Sequence, residues 1–543
     1  MEAVEVIVLL VTILKLTLAQ QLNTNSFPDD FLFGVGTSSY QVEGAWNESD
    51  KSENIWDQLT HNYPELIIDG SNGDVACDSY HRMDDDIALL RNLGVDFYRF
   101  SISWTRLLPN SYSNVISETG RQYYNNLINA LLAANIIPMV TIYHWDLPSE
   151  LQNLGGWTNP IMVDYYADYA QVVFEEFGDR VKHWITFNEG ESICNAYGST
   201  RDAPANVAQP GIGEYLCADT MLKAHARAYH MYDEIYRSTQ QGVVGIVVSS
   251  KWYEPNTTSP DDIAAAERAR QFNMGLYAHA ILGKGGDYPE VVKQAVANRS
   301  ALEGFPFSRL PELTEEEIQY INGTADFLGV NHYMTYLAAP SDDDEIGEPS
   351  MEKDRGVSIW FDPSWEGAAS SWLKVAPWGF RNLLMWLDNE YGYPMYVTEN
   401  GYSDYGEIDD SRRTNYYQLY LSAVLDALGE GANIKGYTAW SLMDNFEWLD
   451  GYVNRFGLHY VNMSDPARPR TIKTSGEYFK QVVATRVVTT TSSTASDSTT
   501  RPPSSSSSTT QAPPTDESNK GSLRTITLPL SFLFLLTSAL VLL

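Results

Sequence analysis

The chain has 543 residues, a formal net charge of -34 and three cysteines. That acidity argues against a nucleic-acid partner and suits a self-repelling soluble surface that acts on neutral small molecules. Three cysteines exclude a disulfide-built scaffold, and no ligand spacing suggests a metal site.

Val6 to Leu14 form an apolar run that leads to Thr17-Leu18-Ala19, small residues that suit signal-peptide cleavage before Gln20. Glu2 and Glu5 stand where such a leader usually carries positive charge. From Asn25 to about Thr485, short apolar runs alternate with longer amphipathic segments. The runs are Phe31 to Gly36, Phe97 to Trp104, Ile136 to His144, His183 to Glu189, Val243 to Ser249, Phe327 to Asn331, Met395 to Glu399 and Ile434 to Trp440. Helical periodicity falls between them over Asp85 to Leu93, Tyr123 to Ala134, Val163 to Phe177, Ala218 to Tyr236, Ile263 to Leu282, Phe380 to Tyr391 and Tyr416 to Leu428, with a last one over Thr474 to Val483.

Eight strand-helix repeats predict an α/β fold, a single (β/α)8 TIM barrel with long active-face loops over 20–485; an open doubly wound sheet is the alternative. The polar residue that ends nearly every run favours the barrel: Arg99, His144, Asn188, Glu189, Asn331, Tyr333, Glu399 and Trp440. Strand ends gather on one face of a barrel and build its site. Two long connections, Ser250 to Ala325 and Tyr336 to Pro377, carry aromatic and acidic residues expected to shape access. After Thr485 the composition turns to Ser, Thr and Pro, which predicts an O-glycosylated stalk over 486–519. The apolar tail over 520–543 lacks a basic stop-transfer flank and predicts a removable lipid-anchor signal attached at Asn519, against the alternative of a retained spanning helix.

Two runs end alike, in Thr186-Phe187-Asn188-Glu189 and in Val397-Thr398-Glu399-Asn400. Strands of one barrel bring such carboxylates face to face, and two opposed carboxylates are the equipment of a glycosidase. Taken singly, Glu399-Asn400-Gly401 is as well explained by a hairpin turn, and Glu189-Gly190 by a strand terminus. Donors at other strand ends, Arg99, His144, Asn188 and Tyr333, give the pair its weight.

The chain resembles glycoside hydrolase family 1, the retaining beta-glycosidases that include animal lactase-like and insect beta-glucosidases. The matching motifs run in order: Gln41-Val42-Glu43-Gly44-Ala45-Trp46, Tyr98-Arg99-Phe100-Ser101-Ile102-Ser103-Trp104, His144-Trp145-Asp146-Leu147-Pro148, Thr186-Phe187-Asn188-Glu189, Val397-Thr398-Glu399-Asn400-Gly401 and Trp440-Ser441-Leu442-Met443-Asp444-Asn445-Phe446-Glu447-Trp448. The resemblance implies that Glu189 is the general acid/base and Glu399 the nucleophile, with Arg99 and Tyr333 keeping Glu399 charged. It also implies that Gln41, His144, Asn188 and Glu447 hydrogen-bond the sugar hydroxyls while Trp440 and Trp448 pack on its apolar face. Asn331 joins this substrate-binding set. The expected reaction is hydrolysis of terminal non-reducing beta-D-glucosyl residues, with galactosyl or fucosyl as further candidates, and needs no cofactor.

Gly190 replaces the proline that usually follows the acid/base, an expected source of looseness at Glu189, and His332 stands where the family more often has an aromatic. The rival function is a catalytically weak carbohydrate- or protein-binding ectodomain on the same barrel; the presence of both carboxylates favours the enzyme. Sequons at Asn47, Asn256, Asn298, Asn322 and Asn462 predict N-glycosylation in the secretory pathway. Cys194 and Cys217 flank a loop-like segment and form the expected disulfide, which leaves Cys77 as a buried thiol.

Overall fold

The computed structural model of the protein describes residues 22–204, 208–343 and 345–490. The expected leader, the anchor residue Asn519, the tail and all but the first few stalk residues lie outside this set.

Eight strands close into a parallel barrel: β1 (Leu32–Gly36), β2 (Phe97–Ser101), β3 (Ile137–Tyr143), β4 (His183–Asn188), β5 (Val243–Ser249), β6 (Phe327–Asn331), β7 (Met395–Asn400) and β8 (Ile434–Trp440). Each strand pairs with its neighbours in sequence, and β8 closes on β1 with Leu32 opposite Gly436 and Gly36 opposite Trp440. Side chains meet packed structure both in the lumen and under the outer helices, which is why the runs are apolar almost throughout.

Phe97, Met139, Ile185, Val247 and Phe327 pack together as one buried cluster that fills the lower lumen. A Cβ on Gly34 would sit 2.4 Å from the Phe97 ring, and one on Gly245 2.5 Å from the Phe327 ring. Glycine at these two points is what lets both rings enter. Since alternate residues of a strand share a face, Arg99 lies two positions above Phe97 on the same lumen side, nearer the C-terminal mouth.

The outer helices follow the predicted periodicity, for example over Met162–Phe177, Pro377–Tyr391 and Ser411–Gly429. Two differ from the expected unbroken form: a π-type turn over Tyr232–Tyr236 follows Gly213–Met231, and another over Gln271–Gly275 separates Pro260–Arg270 from Leu276–Leu282. One extra residue in a turn leaves apolar spacing nearly unchanged, so periodicity passes over it. The second such turn presents Asn273, whose Oδ1 accepts the backbone N–H of Lys251 just beyond β5 at 3.1 Å.

The long connections are structured. Trp252–Pro255, Thr335–Pro340 and Val357–Trp360 form a small three-stranded sheet beside the barrel mouth. A disulfide joins Cys194 to Cys217 and Cys77 is a buried free thiol. Asn47, Asn256 and Asn298 are exposed and Asn462 half-exposed. Asn322 differs: its Nδ2 is turned inward and donates to the carbonyls of Gly283 at 2.9 Å and Ile281 at 3.3 Å. The nitrogen a glycan needs is engaged in these hydrogen bonds, unlike the exposed amides of Asn47, Asn256 and Asn298. Among the described residues no helix is long and apolar enough to cross a membrane, and no cluster of three His, Cys, Asp or Glu side chains could hold a metal ion.

Candidate active site

Two irregularities in the barrel aim the carboxylates. In β4 the register with β5 shifts between Ile185 and Asn188. Ile185 faces the lumen cluster, whereas Thr186 bonds outward to His225 at 2.7 Å and Phe187 stacks on Tyr166 of an outer helix. Two successive outward side chains return Asn188 to the lumen. In β7 the register shifts after Val397 against both neighbours. Here Thr398 and Glu399 both point inward, since Thr398 Oγ1 donates to Asn331 at 2.7 Å and Glu399 meets Arg99. Strict alternation would have turned Glu399 into the helix layer; a bulge re-aims it.

Arg99 is wholly buried and ties the site together. Its Nη1 donates to Glu399 Oε1 at 2.6 Å and to the Thr398 carbonyl at 3.0 Å, and its Nη2 donates to Asn188 Oδ1 at 2.6 Å. Tyr333 donates its hydroxyl to the other carboxylate oxygen of Glu399 at 2.9 Å. Asn331 Nδ2 donates to Asn188 Oδ1 at 3.0 Å and to Glu189 Oε1 at 2.9 Å. A continuous chain of hydrogen bonds therefore joins the two carboxylates through Arg99, Asn188 and Asn331.

The electrostatics separate the pair. Burial pushes the Glu189 carboxyl up to about 7 and the Glu399 charge adds to this, while Ser192 and Asn331 pull it down. Burial also raises Glu399, but the charge of Arg99, its hydrogen bond and that of Tyr333 all act the other way. The ion pair at 2.6 Å is the feature that distinguishes the two residues.

Both carboxylates line one cavity of about 670 Å3, together with His144, Asn188, Tyr333 and Trp440. Glu447 and Trp448 form part of the same wall. The His144 ring lies nearly parallel to Trp440 and Trp448, 6.0 and 6.1 Å between centroids. Burial pushes the His144 imidazole well below its usual range, so the ring is neutral, and its Nε2 meets Asn188 Nδ2 at 3.1 Å as an acceptor. Gln41 is wholly buried, with its Nε2 donating to the Phe446 carbonyl at 2.9 Å, Asn445 Oδ1 at 3.1 Å and Glu447 Oε2 at 3.4 Å. Through this last contact it touches Glu447, which lines the cavity.

The segment after Glu189 is packed, not loose. A Cβ on Gly190 would lie 2.4 Å from Met221 Cε and 2.9 Å from the Tyr277 ring, so neighbours fill the space beside this glycine. One turn later the Cys194–Cys217 bond fastens the same short helix, Gly190–Asn195, to Gly213–Met231. His332 is buried, stacks on Phe380 at 4.7 Å and meets the Ser250 carbonyl through Nδ1 at 2.7 Å, so it serves as the aromatic it replaces. The sequence reading did not single out Ser192, Thr398 or Trp145, whose Nε1 donates to the Asn188 carbonyl at 3.0 Å. Trp145 and Thr398 stand inside quoted motifs, whereas no motif marked Ser192.

The model of Glycosyl hydrolase family 1 matches residues 23–488. Myrosinase 1 of Brevicoryne brassicae is 48% identical over 463 residues, which is 84% of this chain and 98% of that protein. The solved aphid myrosinase superposes with a TM-score of 0.81 at 47% identity, covering 85% of this chain and 100% of that one. A rice beta-glucosidase mutant in a covalent complex with Glc gives 0.80 at 37% identity, with 85% and 99% covered. With the closed barrel and two carboxylates in one cavity, these matches make the chain a member of glycosyl hydrolase family 1 and a retaining beta-glycosidase.

Proposed function

We propose that the protein hydrolyses terminal non-reducing beta-D-glucosyl residues, with Glu399 as nucleophile and Glu189 as general acid/base. The observation that carries this reading is the asymmetry of the pair: Glu399 is ion-paired with Arg99 at 2.6 Å, while Glu189 has neutral donors and is pushed up to about 7. In the first step a carboxylate oxygen of Glu399 bonds to the anomeric carbon, the glycosidic C–O bond breaks, and Glu189 gives its proton to the departing oxygen. Esterification removes the Glu399 charge, so the Glu189 carboxyl becomes a stronger acid and ends this step ionised. In the second step Glu189 takes a proton from water, whose oxygen bonds to the anomeric carbon as the ester breaks, and both carboxyls return to their starting states.

Asn188 is oriented to hold the 2-hydroxyl, a contact that strengthens in the transition state. His144 and Glu447 take further hydroxyls, Gln41 orients Glu447, and Asn331 orients both Asn188 and Glu189. The rings of Trp440 and Trp448 offer flat apolar surface to the sugar. The carboxylate of Glu447 disfavours a phosphorylated sugar by repulsion. The Cys194–Cys217 disulfide supports a secretory-pathway setting; attachment through a lipid at Asn519 belongs to the same reading, and release from cells by a phosphatidylinositol-specific phospholipase tests it.

The test of function is turnover of an aryl beta-glucoside by the purified 20–485 segment from acid to neutral pH. Steady release of the phenol is expected. Well-folded protein that releases none overturns the reading in favour of a binding ectodomain.

A further inference from the structure

The hydroxyl of Ser192 stands 2.7 Å from Glu189 Oε2. Ser192 belongs to the short helix that starts immediately after Glu189 and lines the same cavity. The opposite oxygen, Oε1, is held by Asn331. That amide cannot turn over, because its Oδ1 accepts from Thr398 and its Nδ2 serves Asn188 as well as Glu189. Each oxygen of the carboxyl thus has one hydrogen-bond donor, one fixed by the barrel and one contributed by the helix.

We propose that Ser192 is a positioning residue for the acid/base, donating to Glu189 Oε2 and so favouring the ionised form that the second half-reaction requires. This rests on the assignment of Glu189 given above. Burial and the acidic neighbours act the other way. Glu399 faces Glu189 from β7, Tyr333 from beyond β6 and Glu447 from the loop after β8, and on its own helix Glu191 is next but one. Lys251, just beyond β5, is committed to Glu191 at 2.7 Å. Against the charges of Glu399 and Glu191 and full burial, two neutral donors are what favour ionisation, and of these Ser192 alone can be removed without disturbing Asn188.

A hydrogen bond to the charged form favours that form. Without the serine hydroxyl Glu189 holds its proton to higher pH, so the protonated form used in the first half-reaction persists further into the alkaline range and the ionised form used in the second is reached only at higher pH. The helix stays in place, because Cys194–Cys217 and the Glu191–Lys251 pair hold it independently.

The experiment compares wild type, Ser192→Ala and Ser192→Thr. The alkaline limb of kcat/KM on an aryl beta-glucoside reports the proton on Glu189, and in Ser192→Ala it is expected to move up by about half to one pH unit. The threonine variant, which keeps the hydroxyl, is expected to restore the wild-type limb. With a dinitrophenyl leaving group, which makes the second half-reaction limiting, the acid limb of kcat reports ionisation of Glu189 in the glycosyl-enzyme, and in Ser192→Ala it is expected to move up by a similar amount. A purely structural serine lowers the rate equally at all pH values and leaves the limb in place, and that result overturns the proposal. A carbon-13 titration of the Glu189 carboxyl reads the same shift without turnover, so failure of the glucosidase assignment and failure of the serine assignment stay distinguishable.

Discussion

Replacing Arg99 by lysine keeps a positive charge beneath the site but removes the planar fork that reaches Glu399, Asn188 and the Thr398 carbonyl together. An ammonium group is a single point and cannot hold both Glu399 Oε1 and Asn188 Oδ1 in their present geometry. The bond of interest, 2.6 Å between guanidinium and carboxylate with the arginine wholly buried, is of the charge-assisted kind worth about 1.5–3 kcal/mol. Expressed as acidity, complete loss of that bond raises Glu399 by about one to two pH units. The sign follows from the mechanism. Glu399 attacks only when ionised, so the acid limb of kcat/KM marks its deprotonation. Burial already raises it and Arg99 opposes that rise. Weakening Arg99 moves the acid limb to higher pH, by at most that amount, and lowers the plateau through misorientation of Asn188. The assay is kcat/KM on an aryl beta-glucoside across the acid range, with thermal denaturation to establish that the variant is folded. An acid limb that stays in place, or moves down, in folded Arg99→Lys refutes the role given to the ion pair.

Wild-type kcat/KM is expected to fall as pH rises through about 7, where Glu189 loses its proton; Glu189→Gln removes that limb and costs on the order of 10^2–10^4 in rate on substrates whose leaving group needs protonation. Gly190→Ala inserts a methyl where Met221 Cε already lies, and is expected to cost about 1–3 kcal/mol in thermal or denaturant unfolding, partly recovered by Met221→Ala. An unchanged melting temperature for Gly190→Ala contradicts that packing. Glycopeptide mass spectrometry of secreted protein is expected to find Asn322 bare, because its amide nitrogen serves the Gly283 and Ile281 carbonyls, while the exposed Asn47 and Asn256 are open to modification.

The barrel was legible because its strands are short apolar runs separated by long amphipathic ones, a pattern with few architectures. The carboxylates were legible as strand-end residues inside family motifs. Their aim was not, since Glu399 reaches the lumen only through the bulge after Val397, and Asn188 through the one after Ile185. A bulge is a change of register and leaves no mark in composition. Gly190 shows the limit of a local reading: a glycine suggests freedom in sequence, yet Met221 and Tyr277, distant in the chain, fill the space beside it. Gln41 carries the motif of a sugar ligand, and its contact with Glu447 at 3.4 Å, set by the loop after β8, was not legible in the sequence. Ser192 sits outside every motif, and only the turn of helix after Glu189 brings its hydroxyl to the carboxyl.

The central claim is that Glu399 attacks the sugar and Glu189 does not. Incubating the enzyme with a 2-deoxy-2-fluoro glucoside that carries a good leaving group, then digesting and sequencing the labelled peptide, tests it directly. The label is expected on Glu399, within Met395–Asn400. A label on Glu189, or on any other side chain, contradicts the account.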